Sequence, residues 1–281
     1  MSVKGKTVDW TREYFGDAYL EIYSKYSYNK KEISAEADFV CEAIDLRRGD
    51  LALDLACGFG KHIPFFVKKG IRTIGLDLSL SYLKFAAGKT AKSSLKKFGL
   101  VRGDMRCLPF RDESFHAAFC LFNSFGYFPL SDPDPHVLVL KEIRRILYPE
   151  GLFFLEIPNK TPVLEMIRYS PQTLQCGKNF LIHEMWDYDK EKKILYNRTN
   201  FNVRGKQSQA GYEMRLFTQT EIKRFFKKAG LKVVKTFGDY DGSRYSRVAS
   251  PHLLVIAKKE ISNHGDSLGR MPDYTNPCDS P

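Results

Sequence analysis

The chain is expected to adopt an α/β fold. The reading is a doubly wound, mainly parallel sheet of seven strands with an inserted antiparallel β meander and an N-terminal helical region. Three observations carry this expectation. Short apolar runs alternate with helical stretches over residues 51–157, the spacing of βαβ units. Over residues 180–217 the apolar period drops to two, the signature of half-buried strands. Two more apolar runs, 231–237 and 252–257, follow an intervening helical stretch and complete the sheet.

Residues 8–46 read as helical, with Trp10, Tyr14, Phe15, Tyr19 and Ile22 at three- and four-residue spacing. Arg48-Gly49-Asp50 ends that region, and residues 51–56 form a short buried strand. The tight turn Cys57-Gly58-Phe59-Gly60 leads into a helix over 61–69 that Gly70 closes. A second strand spans 72–77, and Ser79 caps a helix through the 80s and 90s. Residues 98–102 and 116–122 supply the third and fourth strands. Asp132-Pro133 has the form of an N-cap followed by proline at N1, opening an amphipathic helix to about Tyr148. Pro149-Glu150-Gly151 stops it, and residues 152–157 are the fifth strand. In the meander, segments 180–187, 194–203 and 208–217 are joined by turns at 188–190 and 204–206. Thr218 and Glu221 make a capping box for a helix ending at Gly230. Residues 261–281, polar and rich in Gly, Ser, Asp and Pro, are expected to be a disordered tail.

Composition narrows the function class. No apolar run reaches the roughly 18–20 residues needed to span a bilayer. Residues 1–10 are polar and lack a secretory apolar core, so a cytoplasmic location is expected. Six cysteines are present, none in a C-x-x-C pair and none spaced with histidine as zinc ligands, so no metal is expected. They read as reduced thiols, with Cys57 in the glycine turn the one placed to react with alkylating reagents. The net charge of +11 invites a nucleic-acid partner. The basic doublets are scattered, however, many near helix ends where cations suit the dipole, so nucleic acid is disfavoured.

The run 53–60 follows a strand and opens a helix, the setting in which a glycine turn binds a nucleotide-like ligand. Gly58 and Gly60 admit close backbone approach, and the helix N-terminus offers free N–H groups. Asp77 ends the next strand, 19 positions after Gly58, placed to accept both hydroxyls of a ribose. The third glycine of a dinucleotide loop is replaced by Ile63, which disfavours NAD and a nicotinamide-dependent oxidoreductase.

Segments 54–60, 75–79, 102–105, 108–110 and 147–151 together resemble motifs I, II, III and post-III of the class I S-adenosylmethionine (SAM) dependent methyltransferases. The resemblance covers residues 36–160 and, more loosely, 211–258. Segment 121–128, the meander and residues 213–217 are similar to a branch of small-molecule methyltransferases that includes amino-sugar N-methyltransferases. It implies a Rossmann-like sheet, SAM as methyl donor, S-adenosyl-L-homocysteine as product and a small-molecule acceptor. In that frame residues 47–160 and 211–260 are the SAM-binding domain, and residues 1–46 and 161–210 are lids.

The resemblance assigns roles as follows. The loop containing Asp54, Ala56, Gly58 and Gly60 wraps the methionine moiety. Asp77 holds the ribose, and Leu78 packs beside the adenine. Asp104 accepts from the adenine amino group, and the Met105 N–H meets a ring nitrogen. Leu121 and Phe122 line the methionine side. One departure is Ala56, where the common loop has its first glycine; alanine there suits a negative φ. His62, at the helix start, is a candidate for the cofactor carboxylate.

Methyl transfer from a sulfonium needs in-line positioning more than acid catalysis of departure. Tyr14, Tyr19, Phe122 and Tyr127 are candidates to face the sulfonium by cation–π attraction. An acceptor amine or hydroxyl needs a base, for which Tyr14, Tyr127 and His183 are candidates, with Glu184 beside the last. Asn123 is a candidate to orient the acceptor. The segment Asn123-Ser124-Phe125-Gly126 lacks the Asn/Asp-Pro-Pro-Tyr motif of nucleobase and glutamine methyltransferases. An RNA or protein methyltransferase and a non-catalytic SAM-binding protein are the alternatives. The oligomeric state is open.

Overall fold

The computed structural model describes residues 14–26, 29–91, 98–128, 134–176 and 178–260. Two helices come first, α1 (Asp17–Tyr26) and α2 (Lys30–Ala43). There follow β1 (Leu51–Leu55), α3 (Ile63–Lys68), β2 (Arg72–Asp77), α4 (Leu80–Ala91), β3 (Phe98–Arg102) and β4 (Phe115–Cys120). Next come α5 (Pro135–Ile146), β5 (Leu147–Pro158), α6 (Lys160–Met166) and the strands β6 (Gln172–Gln175), β7 (Phe180–Asp189), β8 (Ile194–Val203) and β9 (Lys206–Arg215). The described chain ends with α7 (Gln219–Lys228), β10 (Leu231–Phe237) and β11 (His252–Lys259). Among the described residues, no helix is long and apolar enough to cross a membrane.

The main sheet has seven strands in the order β10-β11-β5-β4-β1-β2-β3. Strands β3, β2, β1, β4 and β5 run parallel, and β11 lies antiparallel between β5 and β10, so β10 again runs in the direction of β5. The chain leaves β1 for β2 on one side and returns to β4 on the other, so the order reverses at β1. A ligand crevice is expected outside the carboxyl ends of strands at such a switch point.

Why these segments fold this way follows from their apolar faces. The central strands β1, β4 and β11 and the second half of β5 are buried on both sides, as the continuous runs require. On one face α5 and α7 bring Val139, Leu140, Ile143, Ile222, Phe225 and Phe226 onto Leu53, Phe153 and Leu155. On the other, α2 sets Ala37, Val40 and Ile44 against Phe66, Phe119 and Phe154. Each fully buried Phe or Leu contributes about 1.5–3 kcal/mol.

The meander is a separate antiparallel sheet, β6-β7-β8-β9, with β7, β8 and β9 paired along their full lengths. Its inner face carries Phe180, Ile182 and Phe201, which pack with Tyr14 and Ile22 of the N-terminal segment. A second cluster joins Leu195, Met214 and Leu216 to Trp186, Tyr212, Tyr127 and α6.

Several expected boundaries move. The N-cap of α5 is Asp134, whose side chain accepts from the His136 N–H, with Pro135 behind it. The Asp-Pro pair occurs twice in succession, and the second one caps; residues 132–133 lie outside the described residues, as do residues 8–13 and the tail. Strand β6 was not expected, because its burial pattern lacks alternation. The meander runs to Arg215, so the lid boundary at residue 210 falls inside β9. The capping box of Thr218 and Glu221 forms as expected.

Candidate functional site

One cavity of about 1090 Å³ opens at the carboxyl ends of β1, β2 and β4 and extends beneath the meander. Of the residues assigned to the cofactor, Asp54, Ala56, Gly58, His62, Asp77, Leu78, Asp104, Met105, Leu121 and Phe122 all line it. Gly60 does not. Its φ is +72°, and an added Cβ would lie 3.2 Å from the Ala86 Cβ on α4. Gly60 therefore lets the turn lie against a helix, and Gly58, at φ +55° with the Tyr82 ring 3.9 Å from where a Cβ would lie, faces the cavity.

The turn holds strain that the sequence did not reveal. Ala56 has φ +57°, contrary to the expectation of a negative value. Phe122 and Asn123, at the end of β4, have φ +57° and +63°. Non-glycine residues in this region cost about 1–2 kcal/mol each, and such residues gather at binding sites. The strand ends thus bend their backbones outward at the point where the cavity begins.

Asp77 is held by the loop it faces. Its Oδ2 accepts the Gly58 N–H at 2.8 Å and its Oδ1 the Ser79 N–H at 2.8 Å. Burial pushes its carboxyl up in spite of these donors. Each oxygen keeps a lone pair, the provision a vicinal diol needs. Asp54 is 3% exposed, and its Oδ2 has no hydrogen-bond partner among the described residues. Burial and the neighbouring Asp77 push its carboxyl up to about 8. A buried, unsatisfied carboxyl on a cavity wall calls for a donor from a ligand. The amino group of a methionine moiety supplies one, so this end fits the expected cofactor.

At the adenine end the fit is less simple. Arg106 reaches back to Asp104, its Nε 3.0 Å from Oδ1 and its Nη2 2.6 Å from Oδ2. Burial would raise the Asp104 carboxyl, but these guanidinium bonds hold it below its ordinary value. An incoming amino group must share both oxygens with Arg106.

Sequence reasoning missed the group on the methionine side. Lys61 lines the cavity with its ammonium over the Phe122 ring. Burial brings that ammonium down to about 7, against the attraction of Glu36, Glu156 and Asp54. His62 Nε2 lies 2.7 Å from Glu36 Oε2 on α2, and burial lowers the imidazole below its ordinary value. Glu156, at the end of β5, accepts the strained Phe122 N–H at 2.8 Å and the Tyr240 hydroxyl at 2.7 Å. Lys61 directly follows Gly60 and carried a local signal. Glu36, Glu156 and Tyr240 come from distant segments and carried none.

The catalytic candidates divide. Tyr14 and Tyr127 line the cavity, with Tyr212 between them at ring-centroid distances of 4.7 and 5.4 Å. Tyr19 and Asn123 line it too. Burial, then the neighbouring Tyr212, drives the Tyr14 phenol far up, so it stays protonated and donates to Glu184. That makes Tyr14 a donor and a poor base. His183 is outside the cavity wall; its Nδ1 lies 2.8 Å from the Thr173 hydroxyl on β6. Strand alternation is the reason: on β7, Ile182, Glu184 and Trp186 share the inner face, and His183 points the other way. Glu184 is 7% exposed and lines the cavity. Burial raises its carboxyl, opposed by hydrogen bonds from Thr199, Asn197 and Tyr14.

The surroundings of Cys57 argue against the expected reactivity. Its thiol is buried with Ile63, Val67 and Leu83, and burial, then Asp54 and Asp77, pushes it well above the ordinary value. Among the described residues, no group of three or more His, Cys, Asp or Glu side chains is arranged to hold a metal.

Residues 52–151 match the family described as the methyltransferase domain. The chain is 26% identical over 261 residues to an uncharacterized protein, MJ1252, of Methanocaldococcus jannaschii, covering 92% of this chain and 88% of that one. A SAM-dependent methyltransferase of Clostridium acetobutylicum has the same fold, with TM-score 0.74 at 20% identity over 85% of this chain and 97% of that one. So does CalS10 of Micromonospora echinaspora, an amino pentose methyltransferase solved with SAM bound, with TM-score 0.62 at 18% identity over 87% and 98%.

Proposed function

We propose that this chain, a class I SAM-dependent methyltransferase, transfers the methyl group to a small-molecule acceptor enclosed between its two sheets. The observation that carries the reading is one continuous cavity, which runs from the carboxylates of the glycine turn to an aromatic wall under the meander. A pocket walled on one side by the strand ends and on the other by the meander, with polar groups converging on an aromatic wall, suits a small ligand better than a polymer.

In this reading Asp77 accepts the ribose hydroxyls, and Asp54 takes the amino group of the methionine moiety. Gly58 and Ala56 approach the ligand with their backbones, and Lys61 and His62 face its carboxylate. Leu78 and Met105 pack about the adenine, with Asp104 toward its amino group. Leu121 and Phe122 close the methionine side. Bound there, SAM supplies an electrophilic methyl on a neutral leaving group. Tyr14, Tyr19 and Tyr127 exclude water around the reacting centre and present ring faces to positive charge.

The charge of +11 does not by itself argue for RNA, because the basic doublets are scattered along the chain rather than gathered in one run.

The test uses methyl-labelled SAM, purified protein and a source-cell extract, with the label separated by size. Label in the small-molecule fraction, lost in Asp77→Ala, supports the proposal. Label in RNA or protein refutes it. SAM binding without transfer to any fraction refutes catalysis.

A further inference from the structure

Resting on that reading, we propose that the acceptor is an organic amine and that Glu184 anchors it and takes its proton. The cavity is chemically divided. Among the described residues its basic side chains, Lys61, His62, Arg102 and Arg106, all belong to the parallel-sheet half. On the lid side the charged described residues that line it are Asp17 and Glu184, both acidic. Asp17 is exposed, whereas Glu184 is buried in the middle of an inner strand face.

Around Glu184 the wall is aromatic. Tyr14, Tyr212 and Trp186 flank it, and Tyr127 completes the arc. A carboxylate among ring faces is a receptor for an organic cation, since both features attract positive charge. The position is also built to keep the carboxylate in place. Thr199, its cross-strand partner on β8, places its hydroxyl 3.5 Å from Oε1 and 2.6 Å from Asn197 Oδ1, so that its one hydrogen is shared between the two acceptors. Tyr14 donates to the same carboxylate, tying the N-terminal segment to the lid.

The chemistry favours nitrogen over oxygen. A carboxylate is too weak a base for an alcohol. An ammonium ion brought out of water loses acidity-matching solvation, while a buried carboxylate gains basicity, and the two converge. The ammonium gives one proton to Glu184, freeing the nitrogen lone pair. That pair forms the new N–C bond as the S–C bond breaks. The S–C electrons stay on sulfur, which leaves as the neutral thioether of S-adenosyl-L-homocysteine. The product is the methylated ammonium, and the proton on Glu184 departs to solvent with it.

The experiment incubates the protein with methyl-tritiated SAM and the small-molecule fraction of a source-cell extract, removes unreacted SAM, itself a cation, by reversed-phase chromatography, then passes the products over a cation exchanger at neutral pH. Retained label is expected, and Glu184→Gln should lower it by about 100-fold or more, the contribution of a positioned base. Calorimetric affinity for S-adenosyl-L-homocysteine should stay unchanged in that variant, which shows that it is folded. Label in the unretained fraction overturns the amine inference and leaves the small-molecule reading intact. Label in no small molecule at all overturns both. As a readout independent of turnover, the protein loaded with S-adenosyl-L-homocysteine should bind benzylamine more tightly than benzyl alcohol, and Glu184→Gln should erase that preference. Equal or absent binding of the two by the native protein overturns the anchoring role.

Discussion

Replacing Asp54 by asparagine keeps the shape of a buried side chain and removes its proton equilibrium. In the native chain the carboxyl sits at about 8, pushed up by burial and by Asp77, against an ordinary value of 3.8. Between those two values the folded protein holds one proton that the unfolded chain has released. Stability therefore falls as pH rises through that window, by about 1.4 kcal/mol per pH unit. From about pH 5 to about pH 6.5 the native protein should lose about 2 kcal/mol that Asp54→Asn does not lose. Asp77 and Glu184 are also raised and contribute slopes of the same sign, but they are present in both proteins and cancel in the comparison. The assay is urea unfolding of both proteins at the two pH values, read as the difference of differences. Identical pH slopes would show that Asp54 is ionised in the ligand-free protein, and the argument for a carboxyl awaiting a donor would collapse.

Three further outcomes follow from the same geometry. Glu156→Gln weakens the charged acceptor of the Phe122 N–H; stability should drop by about 1–3 kcal/mol and calorimetric affinity for S-adenosyl-L-homocysteine about tenfold, whereas unchanged affinity would mean that the strained turn holds itself. Ala56→Gly relieves a left-handed residue at φ +57°. The relief exceeds the added chain entropy by up to about 1 kcal/mol, so the melting temperature should rise by a few degrees; a fall would show that the alanine methyl packs usefully. Iodoacetamide should leave Cys57 unmodified in the native state and alkylate it only in urea, as peptide mass spectrometry would reveal; rapid native labelling would contradict its burial.

The parts of the molecule that were legible in the sequence are those whose signals are local. The strand-turn-helix at the glycine run, the acid ending β2, the capping box at Thr218 and the change to period two each occupy a few consecutive residues. Alternation also carried information that was not fully used. Adjacent residues on β7 face opposite ways, so His183 and Glu184 could not both reach the cavity, and the apolar pattern of Phe180 and Ile182 marked the inner side. The positive φ of Ala56 could not be read, because alanine gives no local sign of it. Nor could the partners of Phe122 and His62, since Glu156 lies 34 residues from the first and Glu36 lies 26 from the second.

The meander shares no strand with the parallel sheet, and its inner residues pack in clusters of their own. The two walls of the cavity are thus nearly independent in sequence. On the proposed reading, exchanges at positions 184, 186 and 212 would alter what is recognised under the lid without touching the core that supports the glycine turn. A donor site of fixed chemistry can in this way be joined to a recognition surface that drifts, and a lineage can acquire a new acceptor by rewriting three short strands.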